Sequence, residues 1–286
     1  MSSGRVVDVA VAGPEKGTPL VFHHGTPGAA LVFERFIEAV TKRGLRYVSY
    51  SRPGYGNSTR KADRTVAHCA ADTAEVLDHL GADRFYTVGW SGGVPHALAC
   101  GALLSQRVTG VAVVAGIAPW GADNLDWFAG MGRENVEEFN AALAGPDELR
   151  SFLDLAAPAF AQVSADQIIA AFGDLVDDVD KASLTGPLGA FLAESARDAL
   201  RKGYWGWFDD DLAFTRNWGF DFSRINVPAT VWHGGKDRMT PFAHGRWLAE
   251  HIPRARAYLL PKQGHLSLAV GSFDRIVDDL ITNRKS

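Results

Sequence analysis

The chain is poor in cysteine: Cys69 and Cys100 are the only two among 286 residues. Two thiols cannot build a disulfide framework, and this pair lacks metal-ligand spacing. A basic surplus is also missing, since 29 Lys and Arg face 33 Asp and Glu for a formal net charge of -4. Nothing is left over to neutralise a phosphate backbone, so no nucleic-acid partner is expected. No stretch approaches 18 uncharged apolar residues. The opening residues, MSSGRVVDVAVAG, hold no apolar signal core. The expectation is a cytoplasmic protein without a membrane partner. Repeats and low-complexity tracts are absent too. What is present is ordinary globular composition, 47% hydrophobic, 10% aromatic and 22% charged, which excludes disorder and fibrous architecture. This length accommodates one large α/β domain, or a core domain with an insertion.

Short β-branched runs alternate with longer helical periods, the pattern of a mostly parallel sheet covered by helices. Expected strands are Val6–Val11, Leu20–His24, Arg46–Ser51, Phe85–Trp90, Val111–Ala115, Ala229–His233 and Arg256–Leu260. Several are almost wholly apolar, as strands buried on both faces should be. The clearest helix follows Arg64, with Val66, Ala70, Thr73, Val76, Leu77 and Leu80 at three- and four-residue spacing, and Gly81 placed for a left-handed cap. From about Trp120 to Phe222 the strands stop while helical periods continue, as at Leu188, Phe191, Leu192, Ser195 and Ala199. The expected division is a core of residues 1–119 and 223–286 with a helical insertion at 120–222.

The segment FYTVGWSGGVPHALAC carries the chemistry. A strand ends in Gly89-Trp90-Ser91-Gly92-Gly93 and a small-residue helix follows at once. G-x-S-x-G in a strand–turn–helix setting is a nucleophile elbow, whose tight turn requires glycine two residues to either side of the serine. A serine hydroxyl is a weak nucleophile near neutrality, so it needs a base, and the base needs an orienting group. In the order Ser, Asp, His, the candidates are Asp237, beyond the strand in ATVWHGGKDRMTP, and His265, on the loop of AYLLPKQGHLSL. The C-terminal ends of parallel strands share one edge, so these distant residues can converge. Other readings stand beside this one. Asp237 is also placed to cap a helix near Thr240 or to pair with Arg238. Asp123 or Asp126 is an alternative acid, and His265 also reads as a surface histidine. His96 is expected to be packed in the helix after Ser91, and His79, His244 and His251 lie on helical faces. His233 is expected to play a supporting role at most. Acyl transfer also requires fixed N–H donors for an oxyanion. Gly92 supplies one backbone N–H and Thr26, in LVFHHGTPG, the other, although Gly-Pro dipeptides also mark ordinary turns.

These residues resemble the α/β-hydrolase fold family of the lidded, serine esterase type. His24-Gly25-Thr26-Pro27-Gly28 is similar to its oxyanion loop, and Arg52-Pro53-Gly54-Tyr55-Gly56-Asn57-Ser58 resembles its R-P-G-x-G-x-S turn. The elbow, Asp237 and the Gly264-His265 pair complete a resemblance that spans nearly the whole core. It departs at Ser51, where many members carry an acidic residue outside the catalytic set. The resemblance implies a helical cap between the sixth and seventh large strands. It also implies a carboxylesterase-like activity on a small or medium, apolar carboxylic ester, with Ser91, Asp237 and His265 as catalytic residues. No metal or organic cofactor is implied, and the protein is expected to be a monomer or homodimer acting on a small molecule. Trp90, Trp120, Trp127 and Trp205 are expected pocket walls, though such aromatics also serve simply to pack cap on core. Two alternatives remain open: hydrolysis of a carbon–carbon bond in a diketone, which requires a proton donor or cation in the cap, and a ligand receptor with little turnover.

Overall fold

The computed structural model describes residues 1–282. Seven strands, β1 (Val9–Ala12), β2 (Pro19–His23), β3 (Arg46–Tyr50), β4 (Phe85–Trp90), β5 (Val108–Val114), β6 (Ala229–Gly234) and β7 (Arg256–Leu260), form one sheet in the order β1-β3-β2-β4-β5-β6-β7. All neighbours are parallel except β1, which pairs antiparallel with β3. The expected α/β architecture is therefore present. Every residue of β2, β4 and β6 is buried, whereas β1 and β7 are partly exposed because they are the sheet edges. Of the expected first strand, Val6–Val11, only Val9–Val11 pair with β3, and the pairing runs on to Ala12.

Successive strand side chains point to opposite faces, and each face receives its own helices. Leu20, Phe22, Val88, Val114 and Trp232 pack with Phe36 of α1 (Glu34–Thr41) and Phe273 of α11 (His265–Thr282). The two phenyl rings stack with centroids 3.9 Å apart. Val21, Val48, Val113 and Val231 pack on the other face against α2 (His68–His79), α3 (Val94–Leu103) and α10 (Phe242–His251). Beyond α2, Gly81 has φ +66°. It donates to Asp78 O while Ala82 donates to Leu77 O, closing the helix end.

Six helices follow β5 before β6 begins: α4 (Arg133–Ala144), α5 (Pro146–Ala161), α6 (Ile168–Phe172), α7 (Asp178–Ser183), α8 (Pro187–Ala199) and α9 (Trp205–Phe214). The helical segment thus stands between the fifth and sixth strands of this sheet. Leu149, Leu153, Trp207, Phe208 and Leu212 give it an apolar cluster of its own, into which the core contributes Ala29 and Tyr55. No helix among the described residues is long and apolar enough to cross a membrane.

Candidate active site

The C-terminal ends of β2, β4, β6 and β7 lie along one edge, and each delivers a piece of the site. At the end of β4, Ser91 has φ +55°, a left-handed conformation that costs a non-glycine residue about 1–2 kcal/mol. The flanking glycines are required by backbone approach. A Cβ on Gly89 would lie 2.5 Å from Gly93 O, and one on Gly93 would lie 2.0 Å from His23 O. The turn is therefore wedged against the end of β2.

The loop leaving β2 passes directly over the serine. A Cβ on Gly25 would lie 3.4 Å from Ser91 Cβ. On Gly92 it would meet Thr26 Oγ1 at 2.3 Å and Thr26 N at 3.2 Å. The backbones of Thr26 and Gly92 thus face one another beside Ser91, and position 92 has no room for a side chain.

Behind β6, the Asp237 carboxylate is fully engaged. Its Oδ1 accepts the N–H groups of Met239 (2.9 Å) and Thr240 (2.8 Å). Its Oδ2 accepts the Thr240 hydroxyl at 3.0 Å and His265 Nδ1 at 2.8 Å. Asp237 therefore organises the turn before α10 and holds the histidine at once. The alternative partner, Arg238, is bound to Asp174 instead. A carboxylate only accepts, so His265 Nδ1 carries the proton and Nε2 keeps its lone pair. Burial alone would push the Asp237 carboxyl up, but His265 and then His233 hold it below the usual range. Burial opposes a charge on His265, yet Asp237, followed by Asp180, leaves it above the ordinary histidine value. His265 is the first residue of α11 and buried, so it is neither on the loop before the helix nor at the surface.

Ser91 and His265 line one cavity of about 80 Å³, together with His24, Gly25, Thr26, Trp90 and Met239 from the core. The core adds Phe22, Leu31 and Leu266 and the loop residues 27–29, and the insertion supplies the facing wall: Phe160, Ile168, Phe172, Phe191, Leu192, Ser195 and Ala196. Three of the four tryptophans expected there lie elsewhere. Trp120 and Trp127 pack together with centroids 5.5 Å apart, and Trp127 donates to Ala118 O. Trp205 lies under the Arg60 guanidinium, 4.1 Å from its ring. Only Trp90 lines the cavity, its ring 6.0 Å from that of His265. The alternative acids are also remote: Asp123 is bound to Trp247 and His251, and Asp126 is exposed in the same surface loop.

Two groups escaped the sequence. Arg52, in the turn after β3, donates to His24 O (2.6 Å), Gly25 O (3.0 Å) and Thr26 Oγ1 (3.0 Å). It is held by Asp210 of α9, which also binds Arg64, Tyr55 and Thr26. Burial would raise the Asp210 carboxyl, but Arg52 and Arg64 keep it well below the usual range. The neighbouring His96 is packed, with burial and then Arg52 holding it down to about 3. The other group is Asp180 of α7, whose carboxylate accepts the backbone N–H of His265. The arginine lay in a recognisable turn and Asp210 in the acidic run of residues 209–211, but no signal in the chain marked Asp180. Among the described residues, no group of three or more His, Cys, Asp or Glu is placed to hold a metal ion.

Comparison with known proteins adds the family. The alpha/beta hydrolase fold family matches residues 18–272. A pimeloyl-[acyl-carrier protein] methyl ester esterase of Nitrosomonas europaea is 27% identical over 87% of this chain and 89% of its own length. A non-heme haloperoxidase of Rhodococcus erythropolis is 24% identical over 93% of this chain and 92% of its own. Among solved structures, an alpha/beta hydrolase fold protein from Chitinophaga pinensis superposes with a TM-score of 0.71 at 16% identity, covering 98% of this chain and 94% of that one.

Proposed function

The chain belongs to the α/β-hydrolase fold family, and from that premise we propose that it is a serine hydrolase cleaving a small or medium, apolar carboxylic ester. The observation that carries this reading is the meeting of Ser91 and His265 on one cavity, with His265 Nδ1 bonded to Asp237 at 2.8 Å. His265 Nε2 takes the Ser91 proton as Oγ attacks the ester carbonyl carbon. The resulting oxyanion is held by the backbone N–H groups of Thr26 and Gly92. Collapse breaks the bond to the alcohol, which leaves with the proton from His265. Water, deprotonated by the same nitrogen, then attacks the acyl-enzyme, and the acid departs as Ser91 regains its proton. Asp237 keeps the imidazole in the productive tautomer and stabilises its cation.

The cavity wall supports an apolar acyl group. A cavity of about 150 Å³ holds a benzene ring, so about 80 Å³ suits a short chain. The helical insertion serves as a cap over that pocket. A carbon–carbon hydrolase would need a cation or proton donor in the cap. The insertion offers the cavity apolar side chains and one hydroxyl, that of Ser195, which accepts the Ala29 N–H and is too weak an acid to replace a cation or a carboxylic acid. That leaves the ester reading favoured, in keeping with a relative named a methyl ester esterase.

A fluorophosphonate probe with peptide mapping tests the reading. Label is expected on Ser91 in the wild type, none in Ser91→Ala, and strongly reduced label in His265→Ala. Folded wild-type protein that takes no label, and turns over no p-nitrophenyl ester, would overturn it.

A further inference from the structure

The first turn of α11 begins at His265 and leaves N–H groups with no partner inside the helix. A residue just before a helix commonly satisfies them with its own side chain, but here that residue is Gly264. The partner comes instead from α7 of the insertion, 85 residues earlier in the chain. Asp180 Oδ2 accepts the His265 N–H at 2.8 Å, and Oδ1 accepts those of Leu266 (3.0 Å) and Ser267 (2.8 Å). A Cβ on Gly264 would lie 2.5 Å from the Asp180 carboxyl atoms. The glycine of the Gly264-His265 pair is therefore the room that this carboxylate occupies. Asp177, in turn, caps α7 by accepting the N–H groups of Val179 and Asp180.

We propose that Asp180 is a positioning residue for His265, carried by the helical insertion. It holds the turn that bears the imidazole, and its negative charge favours the imidazolium that forms during acyl transfer. The inference rests on the serine-hydrolase reading of the site. A neutral cap would hold the turn equally well, so the charge is what distinguishes the role from a structural one. The groups facing His265 are few. Asp237, with His233 behind it at 3.6 Å, lies on the β6 side, Thr240 approaches Nδ1 at 3.4 Å, and Trp90 and Ser91 come from the end of β4. Asp180 is the carboxylate from the insertion among them, and it acts on His265 in the same sense as Asp237. Because it binds three N–H groups at once, the insertion cannot leave α11 at this point without uncapping the helix that carries the histidine.

The test compares wild type with Asp180→Asn, which keeps a carbonyl acceptor and removes the charge. The imidazole of His265 is titrated by NMR, and kcat and KM are measured on p-nitrophenyl butyrate. The expected result is a His265 midpoint lowered by about half a unit or more, with kcat reduced about tenfold and KM within about twofold. An unchanged midpoint overturns the proposal, whatever happens to thermal stability. If Asp180→Asn does not fold, Gly264→Ala provides the second variant. Its methyl group displaces the carboxylate without removing it, and the same fall in midpoint is expected, with no fall overturning the proposal. Wild-type protein that takes no fluorophosphonate label at Ser91 would sink the hydrolase reading instead. Label on the wild type with an unchanged midpoint in the variant would sink only the role of Asp180.

Discussion

The Asp210 carboxylate and the Arg52 guanidinium meet at 2.7 Å, one carried by α9 of the insertion and the other by the turn after β3, with both side chains buried. The same guanidinium holds the carbonyl oxygens of His24 and Gly25, so a charge in the insertion steadies the loop over Ser91. Removing one member of a buried pair leaves the other uncompensated, which costs about 3–5 kcal/mol. Asp210→Ala is therefore expected to lower stability by about that amount in chemical denaturation. A change below about 1 kcal/mol would show that Arg52 and Arg64 find other partners at little cost.

Asp237→Asn tests the orientation of the histidine. An amide NH2 facing Nδ1 favours the tautomer in which Nε2 carries the proton, and Nε2 can then no longer take one from Ser91. A loss of about 10⁴ in kcat is expected on a p-nitrophenyl ester. KM should change little, because Asp237 does not line the cavity.

The pH profile follows from the direction of two shifts. His265 must be neutral to act as a base, and it sits above the ordinary value of 6.5. Activity is therefore expected to fall as pH drops through a midpoint above 6.5. Asp237 is held below the ordinary carboxylate value, so it stays ionised throughout that range. A kcat/KM profile with its acid midpoint well under 6.5 would contradict this arrangement.

A second pair of acids in the insertion predicts a pH dependence of stability. Burial, opposed in part by the Trp207 N–H, raises Glu138 from 4.5 to about 7, and burial with Glu138 raises Asp211 as well. A carboxyl raised in the folded state contributes stability that is complete below its unfolded value and lost as pH climbs through the folded one. Unfolding free energy should decline between pH 4.5 and about 7 on account of Glu138. Glu138→Gln keeps an acceptor for Trp207, and it is expected to flatten that decline and stabilise the protein at pH 8. Thermal melts across the range provide the check.

Under the proposed function, the cavity beside Ser91 predicts selectivity for acyl chain length. p-Nitrophenyl acetate and butyrate should be turned over at least about tenfold better than the decanoate, since each excess methylene must displace packed side chains. Phe172→Ala, which opens the wall contributed by α6, should shift the preference toward longer acyl groups. An unaltered chain-length series would place the acyl group elsewhere.

Much of this arrangement is legible in the sequence because it is local. Gly89, Ser91 and Gly93 reveal a turn through spacing alone, since the backbone collision that forbids a Cβ at Gly89 lies within five residues. Asp237 and His265 are legible because each follows an apolar strand by a few residues, and parallel strands end on a common edge. The tryptophans misled for the opposite reason. An aromatic side chain announces burial but not which partner it is buried against, so Trp127 packed on Phe139 while Phe160, Phe172 and Phe191 took the cavity. The roles of Asp180 and Asp210 are not legible in the sequence because their partners lie 85 and 158 residues away.

The sequence by itself determined the alternation of strands and helices, the strained serine, and the strand ends that an aspartate and a histidine follow. These are periods and spacings, and short-range sterics enforce them whatever the rest of the chain does. Only the tertiary structure decided which side chains close the pocket and which carboxylates of the insertion reach back to the loop after β2 and to the histidine's helix. Those choices depend on how one packed layer settles on another, where desolvation makes an unpaired charge costly and so favours the packing that pairs Asp210 with Arg52 and Arg64 and Asp180 with the first N–H groups of α11.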